Sequence, residues 1–134
     1  MSFRPCFLSQ IVIDESSDQQ VIFVTEREGG RRIPITIGPL EAMAIDRAIK
    51  GQRFKRPLTH DLLIAVLERL NATCREVRIV DLREGIFYAQ IILVTGDGRE
   101  IILDCRPSDA IAVMVRIPQV PLLIAEEVLA EAGG

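Results

Sequence analysis

The sequence predicts an α+β fold, a single mixed domain over residues 1–134 with a mostly antiparallel sheet. A length of 134 residues suits one domain. Six of the seven β-rich runs fall into two groups of three, and short turns rather than crossover helices join the runs within each group. Segments with apolar residues at helical spacing follow each group. The predicted order of elements is βββ-α-α-βββ-α-β-α.

The first group is a meander. Residues 6–14 and 20–26 are β-rich and are separated by a Ser/Asp turn, which predicts a hairpin. A third strand is expected over 32–37, where Pro34 lacks a backbone N–H and should therefore lie at an edge of the sheet.

Two helices are expected next. Apolar residues at helical spacing from 40 to 49 predict the first helix, which ends near Gly51. The second is expected over about 59–71, with Thr59 as its N-cap and Asp61 in the first turn, where a carboxylate complements the helix dipole.

The second group of strands is expected at 73–82, 86–95 and 99–105, with Asp97-Gly98 as a type I′ turn. A helix over about 107–116, a strand over 120–124 and a helix over 125–132 complete the chain.

This turn assignment fixes a register for the second group. Pairing Leu82 with Ile86 and Gly96 with Arg99 places three charged residues on an otherwise apolar sheet face. The charged residues are Asp81, Asp104 and Arg106, and the apolar ones are Val77, Ile79, Leu93 and Ile102.

The composition suggests a protein that associates with itself. Hydrophobic residues make up 49% of a chain in which 26% of residues are charged, and surplus apolar surface is often covered by a second copy, so we expect a homo-oligomer. The net charge of −3 lacks the basic excess of most nucleic-acid binders, so any basic contact surface must be local.

Other features bear on location. Three cysteines without CxxC spacing suit reduced thiols in a cytoplasm better than a disulfide framework or a zinc site. We see neither the layout of a signal peptide nor an apolar run of the ~18 residues that a membrane span needs. A cytoplasmic protein without a membrane segment is expected.

The segment Asp104-Cys105-Arg106-Pro107-Ser108-Asp109 joins an apolar strand to an apolar helix. Charges at such a junction should pair with one another or await a ligand, because burying a lone charge is costly. Arg106 could anchor a phosphate beside metal-binding Asp104 and Asp109, or it could form a structural ion pair with them.

Three further candidates lie earlier in the chain. His60, the only histidine, could be a general base or a first-turn residue of its helix. Glu41 could orient water or bind a metal ion, or only complement a helix dipole. The basic loop could grip phosphates and stack on a base, or simply be solvated; its residues are Arg53, Phe54, Lys55 and Arg56.

Several phrases resemble the bifunctional nuclease family, a bacterial domain also found in plants. They are Ile33-Pro34-Ile35-Thr36-Ile37-Gly38-Pro39, Arg56-Pro57-Leu58-Thr59-His60-Asp61, Asp81-Leu82-Arg83-Glu84-Gly85 and Asp104-Cys105-Arg106-Pro107-Ser108-Asp109-Ala110. The resemblance covers nearly the whole chain. It implies a mixed α+β fold, self-association and activity on RNA and DNA. Cys105 stands where the family pattern leads us to expect a small residue.

Two functional hypotheses follow. The first is a nuclease that hydrolyses phosphodiester bonds of RNA and DNA with Mg²⁺ or Mn²⁺. Asp81, Asp104 and Asp109 would hold the metal, Arg106 the phosphate, and His60 or Glu41 would orient water. No compact metal motif is present. The alternative is a non-catalytic oligomeric interaction or regulatory module, which the acidic pI, the high apolar content and the single histidine favour.

Overall fold

Seven strands form one mixed sheet, and four helices accompany it, in a computed structural model that describes all 134 residues. The predicted fold class and the order of elements are confirmed. The elements are β1 (Phe3–Val12), β2 (Gln20–Glu26), β3 (Arg32–Ile37), α1 (Pro39–Ile49), α2 (Thr59–Arg69), β4 (Thr73–Arg83), β5 (Ile86–Val94), β6 (Glu100–Cys105), α3 (Pro107–Met114), β7 (Leu122–Ala125) and α4 (Glu126–Ala132).

The sheet order is β3-β2-β1-β7-β4-β5-β6. Each group of three strands is an antiparallel meander, and β7 lies between the two meanders. It pairs antiparallel with β1 and parallel with β4, so one short strand joins the halves into a single sheet. No helix of the chain combines the length and apolar character required to cross a bilayer.

The two outer strands of the sheet differ. Pro34 lies in the outer strand β3, opposite Phe23, as its missing N–H predicts. The free side of β3 is also partly closed, because Arg32 and Gly134 exchange N–H···O bonds of 3.4 and 3.2 Å. The outer strand at the other end, β6, contains no proline.

The main core lies on one face of the sheet. Alternate strand residues such as Ile22, Val24, Ile33 and Ile35 are buried there, together with helix residues such as Ile111. Burying a side chain of this size contributes about 1.5–3 kcal/mol relative to leaving it exposed. The helices therefore hold their positions mainly through apolar contact with this face.

The predicted register between β5 and β6 is wrong by one residue. The Thr95 N–H donates to the Arg99 carbonyl over 2.9 Å, so the connection is a three-residue loop over 96–98 and not a two-residue turn. Gly98 adopts a φ of 87° in this loop. A one-residue slip moves every side chain to the other face. Asp104 therefore pairs with Gln90 rather than Ile91.

The register between β4 and β5 also differs from the prediction. A bulge between Ile79 and Asp81 places Asp81 opposite Tyr88 rather than Phe87. The alternation along β5 then puts Asp81 and Asp104 on the face that does not carry the main core. The shared apolar face predicted for Asp81, Asp104 and Arg106 is therefore absent.

The three cysteines are free thiols. Burial, helped by the charge of Glu26, raises the pKa of Cys6 to about 11. Burial and the nearby Asp109 raise the pKa of Cys105 to about 12, and burial also raises the pKa of Cys74. All three thiols are therefore protonated near neutral pH.

Candidate active site

Side chains from the first turns of three helices meet around Arg106. Glu41 is in the first turn of α1, His60 in that of α2 and Asp109 in that of α3. Arg106 is the N-cap residue of α3 and contacts Glu41 and Asp109 directly. Four of the residues that the sequence singled out thus lie together.

Arg106 and Asp109 form a two-pronged ion pair. Nε of Arg106 donates to Oδ2 of Asp109 over 2.9 Å, and Nη2 donates to Oδ1 over 3.0 Å. The Arg106 backbone N–H also donates to Oδ2 over 3.3 Å. Asp109 therefore fixes both the start of α3 and the plane of the guanidinium. The Arg106 side chain nevertheless remains 63% exposed.

Two more groups flank this pair. Nε2 of His60 lies 3.6 Å from Oδ1 of Asp109, and the imidazole is largely buried. Oε2 of Glu41 lies 3.7 Å from Nη1 of Arg106. The guanidinium thus has a carboxylate on two sides, and one of these carboxylates also faces the histidine.

A buried arginine holds the helix that carries His60. Nε of Arg116 donates to Oδ1 of Asp61 over 2.9 Å, while its other two nitrogens donate to the carbonyls of Ala112 and Ala44 over 2.9 and 3.1 Å. These bonds tie α2 to α1 and α3. The sequence interpretation missed this role. The one sequence feature that points to it is the arginine that ends the apolar run of α3.

The N-cap prediction for α2 is wrong. Leu58, not Thr59, occupies the cap position, and Oδ2 of Asp61 accepts its N–H over 2.9 Å. Burial by itself would raise the pKa of Asp61, but the Leu58 N–H and Arg116 outweigh burial and lower it. Asp61 therefore anchors α2 as an anion.

Two open grooves meet at Arg106 and Glu41. The first, of about 600 Å³, is also lined by His60, Asp109 and Arg47. The second, of about 520 Å³, lies over residues 34–38 and 85–87. An extended chain that crosses Arg106 would have room on both sides of it.

The basic loop lies beside the first groove. The Arg47 guanidinium lies 5.1 Å from the centre of the Phe54 ring, and both residues line a depression together with Arg53. Because Arg47 lines the first groove as well, it connects the two surfaces. Lys55 and Arg56 are exposed, and they line neither of the two grooves nor the depression. Sequence reasoning missed Arg47, which is placed only by the packing of α1.

The three aspartates predicted to bind a metal do not come together. Asp81 pairs with Arg83 over 2.9 Å, and Asp104 is exposed on the sheet face away from α3, which carries Asp109. No group of three or more His, Cys, Asp or Glu side chains is arranged to hold a metal ion. The predicted ligand set therefore does not fit the fold, because the observed registers turn Asp81 and Asp104 to the sheet face away from Asp109.

The pKa of Asp109 lies below its ordinary value. Burial by itself would raise it, but the hydrogen bonds and charge of Arg106 outweigh burial, and contact with His60 adds to the lowering. A carboxyl group whose pKa is lower in the folded chain stabilises the fold above its unfolded pKa. That stabilisation disappears as the pH falls through the folded pKa.

We therefore expect Asp109→Asn to flatten the acid dependence of stability. The free energy of unfolding, measured by urea denaturation between about pH 6 and about pH 2, should fall less steeply in Asp109→Asn than in the unchanged protein. Asp104→Asn is the matched control, because Asp104 is exposed and has no ion pair. Parallel curves for the Asp109 variant and the unchanged protein would contradict the assignment.

The chain matches known proteins over most of its length. Residues 21–134 match the family model described as bifunctional nuclease domain. An uncharacterized protein of Mycobacterium tuberculosis is 42% identical over 123 residues, which are 92% of this chain and 72% of that protein.

Two relatives in rice (Oryza sativa subsp. japonica) carry descriptive names. Bifunctional nuclease 1 is 23% identical over 122 residues, 90% of this chain and 37% of the rice protein. Bifunctional nuclease 2 is 28% identical over 115 residues, 84% of this chain and 35% of the rice protein. The match to the family model, which spans all but the first strand and the turn after it, shows that the chain belongs to the bifunctional nuclease domain family.

Proposed function

We propose that this chain is a nuclease that hydrolyses phosphodiester bonds of RNA and DNA at Arg106. The observation that carries the proposal is the position of Arg106, held by Asp109 between His60 and Glu41 where two grooves meet. Family membership supports a nucleic-acid substrate.

Arg106 is suited to bind the phosphate that reacts. Hydrolysis of a phosphodiester builds negative charge on the phosphoryl oxygens, and a preorganised cation stabilises that charge. Asp109 occupies Nε and Nη2, whereas Nη1 makes only the longer contact with Glu41. Nη1 can therefore donate to a phosphoryl oxygen while Asp109 keeps the guanidinium in place.

Glu41 and His60 are suited to move the protons. In the proposed step a water oxygen bonds to phosphorus, and Glu41 accepts the proton that this water loses. The bond from phosphorus to the leaving oxygen breaks, and protonated His60 gives its proton to that oxygen. Oδ1 of Asp109, 3.6 Å from Nε2, holds the imidazole beside Arg106. Solvent returns the two groups to their starting states.

No step here runs through a metal, because the predicted ligand set does not come together. Dependence of the activity on Mg²⁺ or Mn²⁺ stays a prediction. Nucleotide release in the presence of either metal or of EDTA measures it directly.

We expect His60→Gln to lower kcat/KM on single-stranded RNA and DNA about 100-fold or more, because acid–base groups typically contribute that much. The measurement is release of acid-soluble nucleotides by proteins purified identically, so that contaminating nucleases affect both equally. Glu41→Gln should lower kcat/KM by a similar factor, because it removes the group that accepts the proton of the attacking water.

Asp104→Asn is the control in this assay. It removes a carboxylate from the same junction without touching the Arg106 cluster, so full activity is expected. Loss of activity in Asp104→Asn would instead support the prediction that Asp104 binds a metal ion. Absence of cleavage by the unchanged protein would favour the non-catalytic interaction module instead.

A further inference from the structure

We propose that two copies of this chain pair through β6 and α2 around a two-fold axis, so that one sheet continues across both subunits. Two surfaces that a single chain leaves uncovered lie side by side here. One is the outer side of β6, and the other is an exposed apolar stripe on α2.

The outer side of β6 is an open edge. β6 is the last strand of the sheet, and its Ile102 and Leu103 are 51% and 39% exposed. Unpaired edges invite pairing with another strand, and proteins usually block them with proline, lysine, a bulge or a covering segment. β3 carries Pro34 and is bonded to Gly134, whereas β6 has none of these devices.

The two ends of helix α2 lie near the two ends of β6. It starts with His60 beside Asp109, just beyond the end of β6. It is followed by Asn71, which packs against Gly96 in the loop that precedes β6; a Cβ placed on Gly96 would lie 3.4 Å from that of Asn71. The helix therefore runs antiparallel to β6.

The α2 stripe consists of Leu62, Val66 and Leu70, which are 56%, 43% and 71% exposed. At 3.6 residues per turn the stripe is centred about 140° around the helix from Asp61. Asp61 contacts Arg116 on the side toward α3, so the stripe faces away from α3, and we place it toward the open edge. No residue of α2 is fully buried in a single chain.

Symmetry and charge together select the register. A two-fold axis between antiparallel edge strands is perpendicular to the sheet and places one residue opposite its own copy. Centring on Ile102 would put Glu100 opposite the partner's Asp104, and centring on Asp104 would put that residue opposite its copy. Both arrangements oppose like charges, which is destabilising.

Centring on Leu103 avoids this conflict. It places Ile102 opposite the partner's Asp104, and Glu100 lies just beyond Cys105, the last residue of the partner's β6. It also uses the full length of β6, whereas centring on Ile101 would run into the loop over 96–98. Glu100 keeps its contact with Arg75 of its own chain and meets no carboxylate of the partner in this register.

The same rotation sets α2 antiparallel to its copy, stripe against stripe. A six-residue strand alone would bury less than the ~800 Å² per partner of a stable interface, so the helices must supply the remainder. The pairing would also restrain α2, which carries His60. In this register the two Arg106 residues would lie roughly 20 Å apart along the paired strands.

Sedimentation equilibrium of the full chain tests the surface. The unchanged protein should be a dimer, and Val66→Lys and Leu103→Lys should each raise the dimer dissociation constant at least about tenfold. Leu103→Lys would place two lysines opposite each other, whereas Ile102→Lys would meet the partner's Asp104 and keep the dimer. Ile49→Lys, an exposed change on α1, is the control.

Disulfide cross-linking determines the register of the paired β6 strands without breaking the dimer. Leu103→Cys should form a covalent dimer on mild oxidation, because residues at the axis are close enough for a disulfide, whereas Ile102→Cys should not. Circular dichroism checks that each variant folds. A monomeric unchanged protein, a dimer insensitive to both Val66→Lys and Leu103→Lys, or cross-linking through Ile102→Cys instead would overturn the proposal.

Discussion

Replacing Arg106 with alanine is expected to lower kcat/KM on RNA and DNA by about 10³-fold. The reason is that removing one preorganised group from a developing oxyanion typically costs 10²–10³ in rate, and Arg106 carries a full charge. Asp109 would also lose its cation, which leaves two carboxylates beside the phosphate. Nucleotide release measured over a range of substrate concentrations separates kcat from KM.

Two variants make this test specific. Arg106→Lys keeps the charge but lacks the planar fork that binds Asp109 at two points, so it should recover only part of the activity. Arg83→Ala removes an exposed arginine paired with Asp81 and should leave activity unchanged. Because the Arg106 side chain is largely exposed, we expect the stability of Arg106→Ala to change by no more than about 1 kcal/mol. Equal activity of Arg106→Ala and the unchanged protein would remove Arg106 from the site.

Replacing Arg116 with methionine should destabilise the fold by about 2–4 kcal/mol, because the guanidinium is buried and its removal leaves polar partners unsatisfied. Its side chain is only 7% exposed, and the change would deprive Asp61 and two backbone carbonyls of their donor. Methionine keeps an unbranched apolar side chain of similar length, so the loss of stability reports the hydrogen bonds and charge of the guanidinium. The free energy of unfolding from urea denaturation is the measurement.

Arg83→Met is the matched control for this prediction. The Arg83–Asp81 pair has the same 2.9 Å separation as the Arg116–Asp61 pair, but both of its side chains are largely exposed. Exposed pairs contribute at most about 1 kcal/mol, so this variant should unfold almost as the unchanged protein does. A similar loss in both variants would mean that the burial of Arg116 is energetically unimportant.

The elements could be predicted from the sequence because their signals are local. The Gly38-Pro39 break, the helical spacing from 40 to 49 and the Asp97-Gly98 turn each lie within a few residues. Register could not be predicted in this way. A three-residue loop and a bulge after Ile79 each shift the pairing by one, and both are decided by packing across strands.

The candidate site divides in the same way. Glu41, His60 and Asp109 were identifiable because they lie in first helical turns, and the packing of α1, α2 and α3 brings those turns together. Asp104 was selected for its place at the strand-to-helix junction, and Asp81 through the pairing of strands. The observed registers place both on the sheet face away from the cluster. For Arg116 the sequence shows an arginine at the end of an apolar run, but not the carbonyls of Ala112 and Ala44 that it contacts, because those contacts depend on helix packing.

The protected state of the thiols makes the chain suitable for site-specific fluorescence labelling. Burial raises the pKa of Cys6 to about 11 and that of Cys105 to about 12, so both thiols are almost entirely protonated at neutral pH. Maleimide dyes react with the ionised thiol, so a cysteine introduced at an exposed position would be labelled well before the native three. Energy transfer between dyes on α2 and on the basic loop could then follow movements around bound RNA or DNA without first removing any native cysteine.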